Sequence, residues 1–342
     1  MTTERQRRVA IISLHTSPLA QPGVGDSGGM NVYVREMASA LAQQGTECIV
    51  YTRADAADLP REVVVEPGHR VVYLQAGPHH LPKEALTDII DDFTEAVVDD
   101  IEARGGVDAV HAHYWLSGAV GHALKHRLDV PFIVTFHTLA RVKGAGGDLE
   151  PGYREAAEAA QLGCADAVCV SCDAERSELI EHYGVPAGRV VIVSPGVEHA
   201  IFGPGDRRGA RKAIGEDDDV PLVLFAGRIQ ALKGPDVAIR ALALMNEPHA
   251  RLLVSEVRVD QTGMRTKKKC ACSQTNSVCL TAFASLHHSH TTCCQRFTEP
   301  PTSSSSRAEA RASGWSRLRP RPAVLRWWQA RSGVSLRSSM MA

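Results

Sequence analysis

Long apolar runs are absent from this 342-residue chain. No segment approaches the roughly 18 consecutive apolar residues of a membrane span. The N-terminus, MTTERQRRVAIIS, is polar and passes directly into a short strand-like run, without the apolar h-region of a secretory signal. A cytoplasmic location with no membrane partner is the expectation. Paired C-x-x-C zinc spacing is missing too, although the chain has nine cysteines. Cys169-x-x-Cys172 is the one such pair, and it falls in or just after the apolar run AVCVSC, where buried reduced thiols are expected. Acidic residues are scarce at one end only. Ser255–Ala342 holds 14 Lys/Arg and 4 Asp/Glu, which leaves 24 and 35 of the totals of 38 and 39 for Met1–Val254.

The basic end also lacks hydrophobic periodicity. It contains KKKCACSQTN, HHSHTTCC, PPTSSSSRAEARAS and RLRPRPAVLRWW, with no sustained period of 3.6 or 2. A zinc site from Cys270, Cys272, Cys279, Cys293 and Cys294 with His287, His288 and His290 lacks the paired spacing such sites use. A nucleic-acid-binding arm suits the charge but is an odd attachment, so no nucleic-acid partner is expected. Residues 255–342 are read as a non-homologous tail, out of frame or otherwise unrelated, that cannot bury enough apolar surface to fold alone.

The preceding part is rich in pattern. Val9–Ile12, Cys48–Tyr51, Val71–Leu74, Ala109–Ala112, Phe132–Thr135, Ala167–Val170 and Val190–Val193 read as strands. Met30–Gln44, Leu86–Ala103, Leu116–His126, Tyr153–Cys164 and Ala174–Tyr183 read as helices. Such alternation predicts an α/β fold with a parallel sheet covered by helices, and ligands outside the carboxyl ends of the strands. The polar clusters fall at those ends. After the first strand comes His15–Asn31, HTSPLAQPGVGDSGGMN, in which Gly25, Gly28 and Gly29 leave room for a phosphate at a helix N-terminus. Asp26, Ser27 and Asn31 there suit capping of the helix or bonding to a polyol. Gly23–Gly28 spells G-x-G-x-x-G, but the insertion His15–Pro22 separates it from the strand and Cys48–Tyr51 leads to Thr52 and Arg53 rather than an acid. A dinucleotide reading is therefore set aside. His111, His113 and His137 mark two further strand ends; with His15 they lack the short helical spacing of a zinc site and are read as hydrogen-bonding groups, with no metal.

Pro195-Gly196-Val197 and Phe202–Gly205 read as a linker. Beyond it, Leu222–Ala226 is a strand, Gly227–Gly234 a basic turn with Arg228 and Lys233, and Pro235–Met245 a helix opening on proline. An arginine fork and a lysine point charge after a strand suit a diphosphate.

Together HTSPLAQPGVGDSGGMNVYV, LPKEAL, HAHYWLSG, TFHTLARVK, EPGYR, SPGVE and GRIQALKGPDVAI resemble the retaining GT-B glycosyltransferases, most of all the inositol-phosphate branch of mycothiol biosynthesis. The likeness runs from about Arg8 to Val254; the segment Gly144–Leu149 before EPGYR departs from it in being short and glycine-rich. It implies two facing Rossmann-like domains: an N-terminal acceptor domain, 1–197, and the start of a truncated donor domain, 198–254, before the tail at 255–342. It implies transfer of N-acetylglucosamine from UDP-N-acetylglucosamine to 1D-myo-inositol 3-phosphate. Asp26, Ser27, Gly28, Gly29, Met30 and Asn31, with Lys83, Tyr114, Thr138 and Arg154, would bind the acceptor. His15, Gln21, Pro22 and Gly29 would touch the donor or lie between the ligands. Arg228 and Lys233 would hold the diphosphate, and His137 would face the transferring sugar. The family's Mg2+ near the diphosphate would find its ligands missing here, so no cofactor is assigned; a homodimer is compatible with the resemblance. Two alternatives stand beside this reading: a sucrose-phosphate synthase-like transferase, and a non-catalytic inositol-phosphate-binding remnant that takes up no UDP.

Overall fold

The computed structural model describes residues 6–21, 27–147, 149–197, 199, 202–227, 233–245, 247–259 and 265–273. Among these, two compact units separate after Gly196. Pro22, Asp26 and Arg228 lie outside the described residues, as does most of the segment read as a tail.

The first unit is built on an eight-stranded sheet. Its strands are β1 (Arg8–Ile12), β2 (Glu47–Arg53), β3 (Glu62–Glu66), β4 (His69–Leu74), β5 (Ala109–His113), β6 (Phe132–Thr135), β7 (Ala167–Val170) and β8 (Val190–Ile192). They lie in the order β3-β4-β2-β1-β5-β6-β7-β8. Every pairing is parallel except β3 with β4. The chain moves from β1 to β2 on one side and later returns to place β5 on the other. This reversal opens a crevice at the carboxyl ends of β1 and β5.

The helices are α1 (Gly29–Gln43), α2 (Ile90–Ala103), α3 (Trp115–Leu128), α4 (Ala140–Ala145), α5 (Gly152–Cys164) and α6 (Asp173–Tyr183). Strand residues alternate between two cores. Ile11, Cys48 and Val50 join Val34, Met37, Ala38 and Leu41 of α1. Ala10, Ile12, Ile49 and Tyr51 join Phe93, Val97, Val120, Leu124, Phe132 and Leu162 on the other face. Burial on both faces explains why these strands read as apolar runs without alternation. At Gly121 of α3 a Cβ would sit 2.5 Å from the Phe132 ring and 3.0 Å from Ala112 Cβ, so glycine sets how closely this helix meets the sheet.

Several elements differ from the sequence reading. The sheet is not wholly parallel, because EVVVE forms the edge strand β3. Gly68, at φ +84°, turns the chain back, and Glu62 of β3 pairs with Arg70 at 2.8 Å and Arg104 at 2.5 Å. The helix read from Leu86 is divided into a 3₁₀ segment, Lys83–Ile89, and α2. The short α4, carrying Lys143, was not visible in the pattern.

The second unit holds α7 (Arg207–Ile214), β9 (Leu222–Ala226), α8 (Pro235–Leu244), β10 (Arg251–Val259) and β11 (Arg265–Ser273). β9 and β10 run parallel, with Leu242, Ala250 and Leu252 buried beside them. α7 lies just past the segment read as a linker; Asp206 caps it by accepting from the Arg208 N–H at 3.0 Å. β10 continues past Val254 and β11 pairs with it antiparallel, Val254 opposite Cys270. Strand structure thus enters the segment read as lacking periodicity. Ladder hydrogen bonds are backbone bonds and do not require an alternating side-chain pattern.

Candidate active site

The crevice at the switch point gathers most of the residues singled out from sequence. After β1 the chain makes a turn that its own side chains hold. Ser13 Oγ donates to the Thr16 carbonyl at 2.8 Å, and the Leu14 N–H donates to Ser117 Oγ at 3.0 Å. Asn31, 1% exposed, uses its whole amide. Its Nδ2 donates to Thr16 Oγ1 at 2.7 Å and to the Ser17 carbonyl at 2.5 Å, and its Oδ1 accepts from the Gly28 N–H at 2.9 Å. Asn31 therefore ties the His15–Ser17 turn to the start of α1. Ser27 is buried and shares a hydrogen bond with Thr16 at 3.1 Å. Gly29 is exposed with nothing near its Cβ position, which leaves the helix N-terminus approachable. Met30 and Gln21 are half-buried.

After β5, Tyr114 adopts φ 75° and ψ 156°, a conformation rarely populated except by glycine. It is held there by its N–H, which donates to the Thr135 carbonyl at 2.8 Å, while its own carbonyl accepts from Gly118 at 2.8 Å and begins α3. After β6, His137 is left-handed as well, at φ 62°. Two non-glycine residues in strained backbone at adjacent strand ends are found where a fold fixes side chains for a ligand.

The Tyr114 ring is the centre of the cluster. Lys83 Nζ lies 5.0 Å from its centroid, the Arg154 guanidinium carbon 5.1 Å, and the His15 ring 4.6 Å. Arg154 Nη2 donates to Thr138 through both its carbonyl, at 3.0 Å, and its Oγ1, at 3.2 Å. Arg154 is 2% exposed and its charge is met by Glu158 at 2.8 Å and Glu150 at 2.9 Å. Glu158, fully buried, also accepts from the Ala140 N–H at 2.9 Å and from the Tyr183 hydroxyl. This carboxylate anchors α4, α5 and α6 behind the site. It escaped the sequence reading, although its i,i+4 spacing from Arg154 in YREAAE was a signal for it.

The histidines form a contiguous set of rings, with His113 and His137 stacked and His111 tilted against His113. His111 and His113 rings lie 4.2 Å apart, His113 and His137 5.3 Å apart, and Tyr33 of α1 meets His137 edge-on at 5.3 Å. Burial lowers all of them, His111 to about 3 and His137 to about 4, so they are neutral near pH 7. His15 is lowered to about 3 by burial and then by the charge of Lys83. His113 Nδ1 meets His137 Nε2 at 3.1 Å, while His113 Nε2 is buried without a partner. A bare acceptor costs less there than an unmet donor, so the favoured tautomer has His113 donating from Nδ1. His137 then carries its proton on Nδ1. Tyr33 lay inside the quoted motif but was not singled out.

Cys169 is buried and free, its thiol pushed up to about 12 by burial, and Cys172 is half-buried and free. Lys233 is exposed in the second unit, just before α8. Among the described residues no helix is long and apolar enough to cross a membrane.

Residues 28–196 match the family model of the glycosyl transferase 4-like domain. Over 254 residues the chain is 45% identical to D-inositol 3-phosphate glycosyltransferase 2 of Catenulispora acidiphila, covering 72% of this chain and 60% of that protein. It is 45% identical over 250 residues to the D-inositol 3-phosphate glycosyltransferase of Acidothermus cellulolyticus, covering 71% and 56%. Among solved structures it is similar to sucrose-phosphate synthase from Thermosynechococcus elongatus, at a TM-score of 0.67 and 30% identity, over 75% of this chain and 63% of that one. The chain thus spans about 60% of the length of these curated relatives. With the switch-point crevice of an α/β sheet and this matched domain, the chain belongs to the GT-B glycosyltransferases of the glycosyl transferase 4-like family.

Proposed function

We propose that the first unit is the acceptor domain of a retaining hexosyltransferase that moves N-acetylglucosamine from UDP-N-acetylglucosamine to 1D-myo-inositol 3-phosphate, the chemistry of mycothiol biosynthesis. One observation carries the reading: two cations, Lys83 and Arg154, lie over the Tyr114 ring at 5.0 and 5.1 Å from its centroid, at the switch point, with Thr138 and His15 alongside. A phosphorylated polyol needs that combination of positive charge, hydroxyls and a helix N-terminus.

In this reading Lys83, Gly29 and the start of α1 receive the phosphate, and Asp26 meets hydroxyls of the polyol. Ser27, Gly28, Met30 and Asn31 shape the turn that presents the helix start, Asn31 by tying it to Thr16 and Ser17. Arg154 is already paired with two carboxylates, so its principal task is to hold Thr138 toward the acceptor. Tyr114 and Thr138 offer hydroxyls to the ring, and His15, Gln21 and Pro22 lie toward the donor. Neutral His137 presents its Nδ1–H to a hydroxyl of the transferring sugar. Arg228 and Lys233 stabilise the departing UDP. The rate then derives from placing the acceptor hydroxyl on the face from which the diphosphate leaves and from stabilising that leaving charge. No protein carboxylate is required as nucleophile.

The relatives named for D-inositol 3-phosphate support this acceptor, whereas the likeness to sucrose-phosphate synthase favours a second reading with a hexose phosphate. Calorimetry of the 342-residue chain separates them. We expect heat from 1D-myo-inositol 3-phosphate, none from unphosphorylated myo-inositol, and weaker or no heat from a hexose phosphate. Tighter binding of the hexose phosphate would overturn the assignment. Adding UDP-N-acetylglucosamine and assaying product then tests transfer. Binding of the acceptor without UDP uptake or product would instead identify a non-catalytic acceptor-binding protein.

A further inference from the structure

α3 leads away from the candidate active site, and its last two turns carry a different group of chemistry-bearing side chains. His122 and His126 stand one turn apart, at i and i+4, so both imidazoles project from one face. Their ring centroids are 5.1 Å apart with an interplanar angle of 56°. Cys164, the last residue of α5, approaches the same face and its Sγ lies 3.2 Å from His126 Nε2. One donor atom from each of the three residues lies within 4.8 Å of the others. The cysteine is free, His126 is exposed and the other two are half-buried, so an ion from solvent can reach all three.

We infer that His122, His126 and Cys164 form a binding site for a divalent transition-metal ion of the zinc class, clamping the end of α3 to the end of α5. The donor set decides the class of ion. Two imidazoles and a thiolate suit Zn2+ and its first-row neighbours and disfavour Mg2+ and Ca2+, which require oxygen. Tetrahedral zinc, with bonds of about 2.0–2.1 Å to nitrogen and about 2.3 Å to sulfur, puts neighbouring nitrogen and sulfur ligand atoms about 3.3–3.6 Å apart. Cys164 Sγ and His126 Nε2 already stand 3.2 Å apart, and one donor atom from each of the three residues lies within 4.8 Å of the others. Water completes the fourth position. Binding converts the Cys164 thiol to thiolate, and the displaced proton passes to solvent.

The charged groups beside the site permit a cation. Two positive groups flank Cys164: Arg189 Nη1 donates to the Leu162, Gly163 and Ala165 carbonyls at 3.2, 3.0 and 3.2 Å, and Lys125 Nζ is engaged by the Cys164 carbonyl and by Asp166 Oδ1, each at 2.8 Å. The Lys125 charge is thus met by a carboxylate. The helices joined here are the two that carry the acceptor cluster at their other ends, Tyr114 entering α3 and Arg154 in the first turn of α5. The metal's effect is therefore on the stability of that framework, and the site itself lies away from the reacting groups.

Cobalt(II) titration of the full chain under a non-chelating reductant tests this directly, with zinc(II) competition. Residues 255–342 contain further cysteines and histidines, so the reading is a difference between variants. The wild type is expected to bind one more equivalent of Co2+ than Cys164→Ser. The difference spectrum should show a sulfur-to-cobalt band in the near ultraviolet and the visible bands of tetrahedral cobalt. His122→Asn and His126→Ala should weaken that equivalent by more than about tenfold, since even loss of a group supporting a ligand costs that much. Zinc should also slow alkylation of Cys164, mapped by mass spectrometry on the wild-type chain, which requires no variant to fold. Equal stoichiometry and identical spectra in wild type and Cys164→Ser, or alkylation of Cys164 unaffected by zinc, would overturn the site and leave Cys164 as a thiol hydrogen-bonded to His126.

Discussion

α3 begins in one histidine environment and ends in another. Before its first turn, the His111, His113 and His137 rings are in contact, buried and neutral; His113 pairs with His137 through ring nitrogens and His111 with the Thr135 hydroxyl. In its last turns, His122 and His126 are at helical spacing, reachable from solvent and next to a thiol. The residue type is the same and the chemistry is opposite. Strand-end histidines on a sheet are fixed by their neighbours into one tautomer and serve as directed hydrogen-bonding groups. Helix-spaced histidines converge on a point where an ion can sit. Burial and spacing, not the imidazole itself, decide between the two uses.

The largest way to disturb the first environment is through the ion pair behind it. Arg154→Met leaves Glu158 buried without its cation, and we expect a loss of about 3–5 kcal/mol in urea unfolding. Arg154→Met with Glu158→Leu should recover part of that loss, because both charges are then gone. A single variant as stable as the wild type would show that Thr138 and α4 do not depend on this pair. The acceptor site at the α3 start should fail in the single variant while the α3 end keeps its metal.

Lys83→Ala is next. A charge-assisted bond to phosphate contributes about 1.5–3 kcal/mol, so acceptor affinity should fall roughly 10- to 100-fold with little change in stability. Calorimetry with 1D-myo-inositol 3-phosphate reads it. Unchanged affinity would move the phosphate away from Tyr114.

Acid separates the two environments further. The folded-state values of His111 and His137, about 3 and about 4, lie below the ordinary 6.5 because burial disfavours the cation. The unfolded chain therefore binds protons that the folded one does not once pH falls below about 6.5. Their contribution is fully present above that value and is lost on the way down toward 4, at up to about 1.4 kcal/mol per pH unit for each histidine. Urea midpoints between about pH 7 and 5 should fall with this slope, before most carboxylates titrate, and His111→Gln should flatten it. A midpoint independent of pH across that window would contradict the buried neutral set.

Much of this architecture could be read from the chain. The buried strands of the first unit announced themselves as apolar runs, and their carboxyl ends were marked by His15, His111, His113 and His137. The local pattern failed where structure depends on distant partners. β3 is a short edge strand fixed by Glu62 against Arg70 and Arg104. α4 hangs on Glu158, eighteen residues away. Asn31 reads as capping the helix or bonding a polyol, and its Oδ1 does accept from the Gly28 N–H at the helix start; its contacts to Thr16 and Ser17 are ones that no spacing rule reveals. His122 and His126 do have a readable spacing, yet the third donor, Cys164, arrives from another helix.

The smallest expected effect is the control that gives the second environment its meaning. Without metal, Cys164 makes one weak sulfur contact to half-exposed surroundings, so Cys164→Ser in chelator-treated protein should change stability by no more than about 0.5 kcal/mol, as surface substitutions do. With zinc at a hundredfold excess over its dissociation constant, the wild type alone should gain about 2.7 kcal/mol, because the ion binds the assembled triad in the folded state and Cys164→Ser has lost its thiolate. Zinc binding to cysteines and histidines of the unfolded chain lowers the zinc response of both proteins, so the difference between them is the quantity to measure. Equal zinc responses in the two proteins would remove the distinction between the ends of α3, and both histidine groups would then serve packing and hydrogen bonding alone.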